Sequence, residues 1–171
     1  MRLVPETAER HTLSILVDNE AGILARVAGM FSSRGYNIES LTVADVSRDN
    51  MISRISIVTS GSAHVIEQII AQLDRLVPVH KVTDLTAHGP HVERELALVK
   101  VAGTGEHRIE AMRLADIYRA RVLDATTGSF VFEITGSTDK IDTFVDLMRE
   151  VGLVEVARTG VVAIARGREA V

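Results

Sequence analysis

Residues 19–43 read NEAGILARVAGMFSSRGYNIESLTV, and the fold follows from how the period changes through this stretch. Just before it, residues 11–17 alternate. Leu13, Ile15 and Val17 fall on one side and Thr12 and Ser14 on the other, the pattern of a half-buried strand. A polar turn occupies 18–22. Leu24, Val27, Ala28 and Phe31 then recur at i, i+3, i+4 and i+7, which marks one face of an amphipathic helix. Gly35 suits the left-handed residue after a last helical turn, and Asn37 opens a second strand. A strand that runs straight into a helix leaves unpaired backbone N–H groups and the positive end of a helix dipole at 18–22.

Outward from there, 38–47 reads as a strand, 48–50 as a tight turn, and 51–59 as a returning strand with Ile55 and Ile57 on one face and Arg54 and Ser56 on the other. Ser60-Gly61-Ser62 supplies helix-start chemistry, and Ile66, Ile69, Ile70 and Leu73 hold helical spacing. Pro78 ends that helix and 79–86 is a closing strand, so the order is βαββαβ. Ala87-His88-Gly89-Pro90-His91 breaks both periods and marks a boundary.

The same order then begins again: strand 95–101, helix from 104 to about 119, strand 122–126, strand 129–135, a helix carrying Ile141, Phe144, Val145 and Met148, and one or two strands over 154–158 and 160–165. The junctions 57–62 and 133–138 resemble one another, as a duplicated architecture requires. The reading is an α+β chain of tandem ferredoxin-like units: an arm at 1–10, a first domain at 11–86, a linker at 87–92, a second domain at 93–167 and a tail at 168–171. Each unit sets two helices on one sheet face and leaves the opposite face open. Units this small bury modest cores, so pairing through sheet faces or edges is expected.

Composition narrows the function classes. Of 171 residues, 46% are hydrophobic and 25% charged, the balance of an ordinary globular protein. Aromatics are 4%, so the cores are built from Val, Ile, Leu and Ala. A net charge of -4 with scattered Lys and Arg gives no footprint for nucleic acid or an anionic membrane. There is no Cys, which excludes thiolate chemistry and makes a reducing cytoplasm the expected compartment. No apolar run approaches the ~20 residues of a membrane span, and 1–10 lacks the apolar region of a signal peptide.

No catalytic constellation emerges. Ser62 and Ser137 follow glycines at helix starts, where they read as caps. Gly103-Thr104-Gly105 lacks the third glycine of a dinucleotide loop and reads as a helix entry. His88 and His91 lie together in the expected linker, without Cys or a carboxylate pair at ligand spacing. Glu93 and Glu95 alternate with Arg94 as on a solvent-facing or interface edge. Phe130 and Phe132 read as core, without the basic neighbours of a base-stacking platform.

The 18–22 turn remains. Alone it reads as a helix cap made by Asp18 or Asn19, with Gly22 permitting a bend. With Asn37 at the head of the next strand it also reads as a small-molecule pocket: helix N–H groups for a carboxylate, an amide for a polar group, and Ile23, Leu24 and Ile38 as an aliphatic lining.

Residues 18–27 (DNEAGILARV) and 31–43 (FSSRGYNIESLTV) resemble the regulatory small subunit of acetolactate synthase, as do 53–55 (SRI), 91–96 (HVEREL) and 155–161 (EVARTGV). The resemblance runs from about 11 to 167, and its most specific phrase is RGYNIESL at 34–41. It implies an ACT domain in the first half, an ACT-like domain in the second, and a homodimer of side-by-side ACT domains. It implies valine as effector at that interface, with Asn19, Ala21, Gly22, Ile23 and Leu24 of one chain and Asn37 and Ile38 of the other. Ala21 stands where the resemblance implies a small residue, often Ser. The chain itself is then non-catalytic. Its partner is the catalytic large subunit, which holds thiamin diphosphate, magnesium and FAD. The other reading in view is a stand-alone amino-acid-binding effector domain of a transcriptional regulator, although no basic recognition helix accompanies it.

Overall fold

The computed structural model describes residues 7–47, 49–168 and 170. Most of the expected arm, Arg48 of the expected turn, and 169 and 171 of the expected tail lie outside the described residues. The chain forms two compact units: the residues up to 92 together with those from 161 onward, and Glu93–Gly160. Each is a sheet with helices on one face, as the doubled pattern predicts. No helix among the described residues is long and apolar enough to cross a membrane.

In the first unit β1 (Glu9–Asp18), α1 (Ile23–Ser33), β2 (Ser40–Ser47), β3 (Ile52–Gly61), α2 (Ala63–Leu73) and β4 (Val79–Asp84) give an antiparallel sheet of order β2-β3-β1-β4. Leu13, Ile15 and Val17 of β1 and Ile55 and Ile57 of β3 form one core with Val27, Phe31, Ile66, Ile69 and Leu73 of the helices. The stripe on α1 differs by one residue from the expected one: Ile23, Val27 and Phe31 are buried, while Leu24 is 40% exposed. The helix begins at Ile23 on a left-handed Gly22, and that start rotates Leu24 out of the core. β1 starts at Glu9, inside the expected arm, because Glu9 and Arg10 still pair with Gly61 and Ser60.

The expected linker at 87–92 is ordered structure. Asp84 caps a four-residue helix, α3 (Leu85–His88), by accepting from the N–H groups of Thr86 and Ala87. His91 then opens β5 (His91–Ala102). The second unit continues with α4 (Gly105–Tyr118), β6 (Arg121–Ala125), β7 (Ser129–Gly136), α5 (Thr138–Glu150) and β8 (Leu153–Arg158), in sheet order β6-β7-β5-β8. Its core joins Ala97, Val99 and Val101 to Leu114, Phe132, Ile134, Ile141, Phe144 and Met148.

The segment from 161 departs from the expected second domain. β9 (Val162–Ala165) pairs β5, and Ala163 is buried with Leu85 of α3 in a small cluster of its own. Both α3 and β9 lie against β1. The first sheet's face away from α1 and α2, expected to be open, therefore carries chain of its own unit. The corresponding face of the second unit holds a shallow cleft of about 200 Å³ lined by Leu98, Lys100, Val131, Glu155 and Ala157.

Candidate functional site

The turn between β1 and α1 is pinned by its backbone. Asp18 N–H donates to the Pro78 carbonyl at 2.9 Å, Asn19 N–H to that of Met51 at 2.7 Å, and Glu20 N–H to that of Asp18 at 2.9 Å. Gly22, with φ 88°, is the residue at the helix start, and no side chain caps the first turn. Neither Asp18 nor Asn19 is the cap, because Asp18 instead takes His80 Nε2 at 2.6 Å. Ile23 N–H donates to the Glu20 carbonyl at 3.4 Å, and no side chain caps the amides that follow it at the positive end of this 11-residue helix, an arrangement that favours a carboxylate. Asn19, Ala21 and Gly22 are exposed. Ile23 is buried in the core, so it offers this place no side chain, whereas Leu24 stands beside it in solvent. Arg26 and Glu20 pair across the turn at 3.2 Å.

Asn37 is exposed, and its carbonyl accepts from Thr59 Oγ1 at 2.7 Å. Ile38 is half-buried against the first core. The Gly22 turn and Asn37 lie at opposite ends of the sheet. Asp18 pairs with Ile52 at one end of the β1–β3 ladder, and Thr59, which holds Asn37, pairs with His11 at the other. Seven residues of strand separate them, roughly 23 Å. One chain does not bring the predicted site residues together.

Other candidates resolve individually. Ser137 caps α5 by accepting from Lys140 N–H, but Ser62 makes no such bond at α2. Thr104 starts α4 without a side-chain cap. His88 is exposed and His91 Nδ1 lies 3.2 Å from the Gly89 carbonyl. No group of three or more His, Cys, Asp or Glu side chains among the described residues is placed to hold a metal. Phe130 and Phe132 are core as expected, but Phe130 does have a basic neighbour, the Arg108 guanidinium, 3.9 Å from its ring centre.

Comparisons with known proteins cover both halves of the chain. A family model described as the AHAS small subunit-like ACT domain matches residues 13–81, and one described as the small subunit of acetolactate synthase matches 94–167. The chain belongs to the acetolactate synthase small-subunit family. A probable acetolactate synthase small subunit of Archaeoglobus fulgidus is 48% identical over 160 residues, covering 94% of this chain and 99% of that one. The isozyme 3 small subunit of Salmonella typhimurium is 47% identical over 92% of this chain and 96% of its own. The crystal structure of the acetolactate synthase small subunit from Thermotoga maritima superposes with a TM-score of 0.84 at 38% identity, covering 94% of this chain and 99% of that one.

Within this family member, a buried charged side chain differs from its expected placement. Glu95, expected on a solvent-facing or interface edge, is 4% exposed. It accepts two bonds of 2.7 Å from Arg158, whose third arm reaches Asp142 at 2.6 Å. The bonds to Glu95, chiefly, and to Asp142 raise the Arg158 pKa further above its ordinary value, against the opposing effect of burial. Glu95 and Arg158 stand 63 residues apart, so no local pattern announces the pair.

Proposed function

We propose that this chain is the non-catalytic regulatory subunit of an acetolactate synthase, activating a catalytic large subunit and making it sensitive to valine. On this reading thiamin diphosphate, magnesium and FAD belong to the large subunit. The reaction served there is condensation of two pyruvates, or of pyruvate with 2-oxobutyrate, with loss of carbon dioxide. The observation that carries the effector site is the uncapped helix start at Gly22, set at the opposite end of the sheet from the exposed Asn37.

That separation fits a site made by two copies. Among the described residues β2 is an edge strand paired only with β3, with Val43 43% and Val46 52% exposed. Its head lies next to Asn37. Its tail, where Ser47 pairs with Ile52, lies next to the turn in which Asn19 bonds Met51. Two β2 strands set side by side and antiparallel would put each Asn37 and Ile38 beside the partner's Gly22 turn. Such pairing also satisfies an exposed apolar edge.

Valine then meets complementary chemistry. Its carboxylate takes the first-turn N–H groups, its polar head the Asn37 amide, and its isopropyl group Leu24 and Ile38. Burying that group contributes about 1.5–2 kcal/mol, and each charged hydrogen bond about 1.5–3 kcal/mol. To inhibit, valine must bind the less active assembly more tightly, and a coupling of about 1–3 kcal/mol is typical. The test is calorimetric titration of the isolated protein with valine, leucine and isoleucine, beside activity of the large subunit with and without this chain. Binding of valine, activation and valine-dependent inhibition are expected; absence of all binding overturns the pocket, and absence of activation overturns the role.

A further inference from the structure

We propose that Ser40 and Thr42 of β2 form a hydroxyl clamp on Val161, through which occupancy of the effector site at the head of β2 is passed into the chain that leads to β8. This rests on the effector reading given above. Leu41 and Val43 pair with the core residues Ile57 and Ile55 and so face the helices. The alternate residues, Ser40 and Thr42, therefore face the other side of the sheet. There the Val161 N–H donates to Ser40 Oγ at 2.7 Å, and Thr42 Oγ1 donates to the Val161 carbonyl at 3.3 Å. Both backbone groups of one residue, itself outside any strand and 3% exposed, are held by side chains two positions apart on an edge strand.

Position makes this clamp a relay. Upstream, Ile38 precedes Ser40 by two residues, at most about 7 Å along the chain. Asn37 is one residue further. Downstream of the clamp toward the N-terminus of the segment, a single residue, Gly160, separates Val161 from a second fixed point. Thr159 N–H donates to the Leu96 carbonyl at 3.0 Å, its Oγ1 accepts from Leu96 N–H at 3.1 Å, and Arg158 is locked on Glu95. Thr159 and Val161 are two residues apart, at most about 7 Å of chain, so the covalent path between the two fixed points is short. A shift or stiffening of the head of β2 on ligand binding reaches Val161 through two hydrogen bonds, and from Val161 it reaches the end of β8 through the covalent chain. Ser40 and Thr42 act here through Val161 and are positioning residues, not ligand contacts.

The experiment uses the full-length chain assembled with its catalytic subunit. Thr42→Val keeps the branched shape without the hydroxyl, Ser40→Ala removes the acceptor, and Thr42→Ser restores a hydroxyl. For the single variants and the double, valine affinity is read by calorimetry, and activation and valine inhibition by enzyme assay, with activation also reporting correct folding. The expected result is valine affinity within about twofold of the parent, activation kept, and valine's effect on the rate reduced by about fivefold or more in the double variant. Thr42→Ser should retain the parent response. Undiminished inhibition in the double variant overturns the relay. So does a loss of valine affinity equal to the loss of inhibition, because the hydroxyls would then belong to the pocket. Failure of the effector reading shows separately: the unmodified protein would bind none of the branched-chain amino acids, and the relay would fall with it.

Discussion

The carboxylate of Glu95 and the guanidinium of Arg158 face each other through two parallel bonds, Nε to Oε1 and Nη2 to Oε2, each 2.7 Å long, on the neighbouring strands β5 and β8. The Glu95 side chain is 5% exposed and that of Arg158 34%. Removing the cation leaves a carboxylate almost wholly out of water. Arg158→Met is therefore expected to cost about 2–4 kcal/mol, somewhat under the loss for a fully buried pair because part of Arg158 is solvated. The midpoint of urea unfolding measures it. Glu95→Leu combined with Arg158→Leu should recover much of the loss, since no charge is then stranded. An unshifted midpoint in Arg158→Met would show the pair contributes little.

Gly22 sits at φ +88° with nothing within 4 Å of an added Cβ. Steric room exists, so a side chain there meets only the left-handed backbone penalty, about 1–2 kcal/mol. Gly22→Ala should show that loss alone. Gly22→Asp adds a fixed carboxylate at the positive helix end, where the effector's own carboxylate is proposed to bind. Valine affinity should fall more than about tenfold, equivalent to about 1.4 kcal/mol, with activation of the large subunit retained. Calorimetry on the two variants separates charge from strain. Equal affinities for both would place the carboxylate elsewhere.

Asn37 tests the other half of the site with almost no structural consequence. Its backbone carbonyl is held by Thr59, and its side chain is exposed, so Asn37→His should keep unfolding stability within about 0.5 kcal/mol. Valine inhibition should nevertheless be lost. A mixture of Asn37→His and Gly22→Asp chains is informative, because a mixed dimer keeps one intact site where each single variant keeps none. Partial return of valine binding in the mixture is expected, and none would overturn a site shared between two chains.

The core was legible because period alone decides which face an element buries. Ile66, Ile69 and Leu73 on α2, and Phe132 and Ile134 on β7, sit where their spacing puts them. The return of β9 was not legible, since its four residues fit either unit and what decides lies far off in sequence: Leu85, which packs with Ala163, and the hydroxyls of Ser40 and Thr42 that hold Val161. Likewise α3 is too short to show a helical stripe, and its cap, Asp84, reads locally as the end of a strand. The Gly22 turn could be found from its strand–turn–helix order, but one residue of shift at the helix start exchanged Leu24 for Ile23 in the core. Glu95 reads as an edge residue because it follows Glu93 and Arg94 in sequence, while its partner arrives from β8.

The pair Lys100–Glu155, 2.6 Å apart on the outer face of the second sheet, gives a prediction in pH. The bond from Lys100, followed by its charge, holds the Glu155 pKa below the ordinary glutamate value. A carboxyl whose folded pKa is depressed binds protons less readily than in the unfolded chain. Its stabilising contribution is therefore present above the unfolded pKa and disappears as pH falls through the folded one. Glu155→Gln should lower the melting temperature slightly at pH 7. The difference from the parent should narrow once pH drops below about 4.3, the unperturbed glutamate value, and vanish at still lower pH. Because both side chains are exposed, about 1 M salt should also shrink the pH 7 difference, the screening length there being about 3 Å. A difference that persisted unchanged at acid pH would trace the effect of the substitution to packing of the glutamate stem against the cleft beside Leu98, not to its charge.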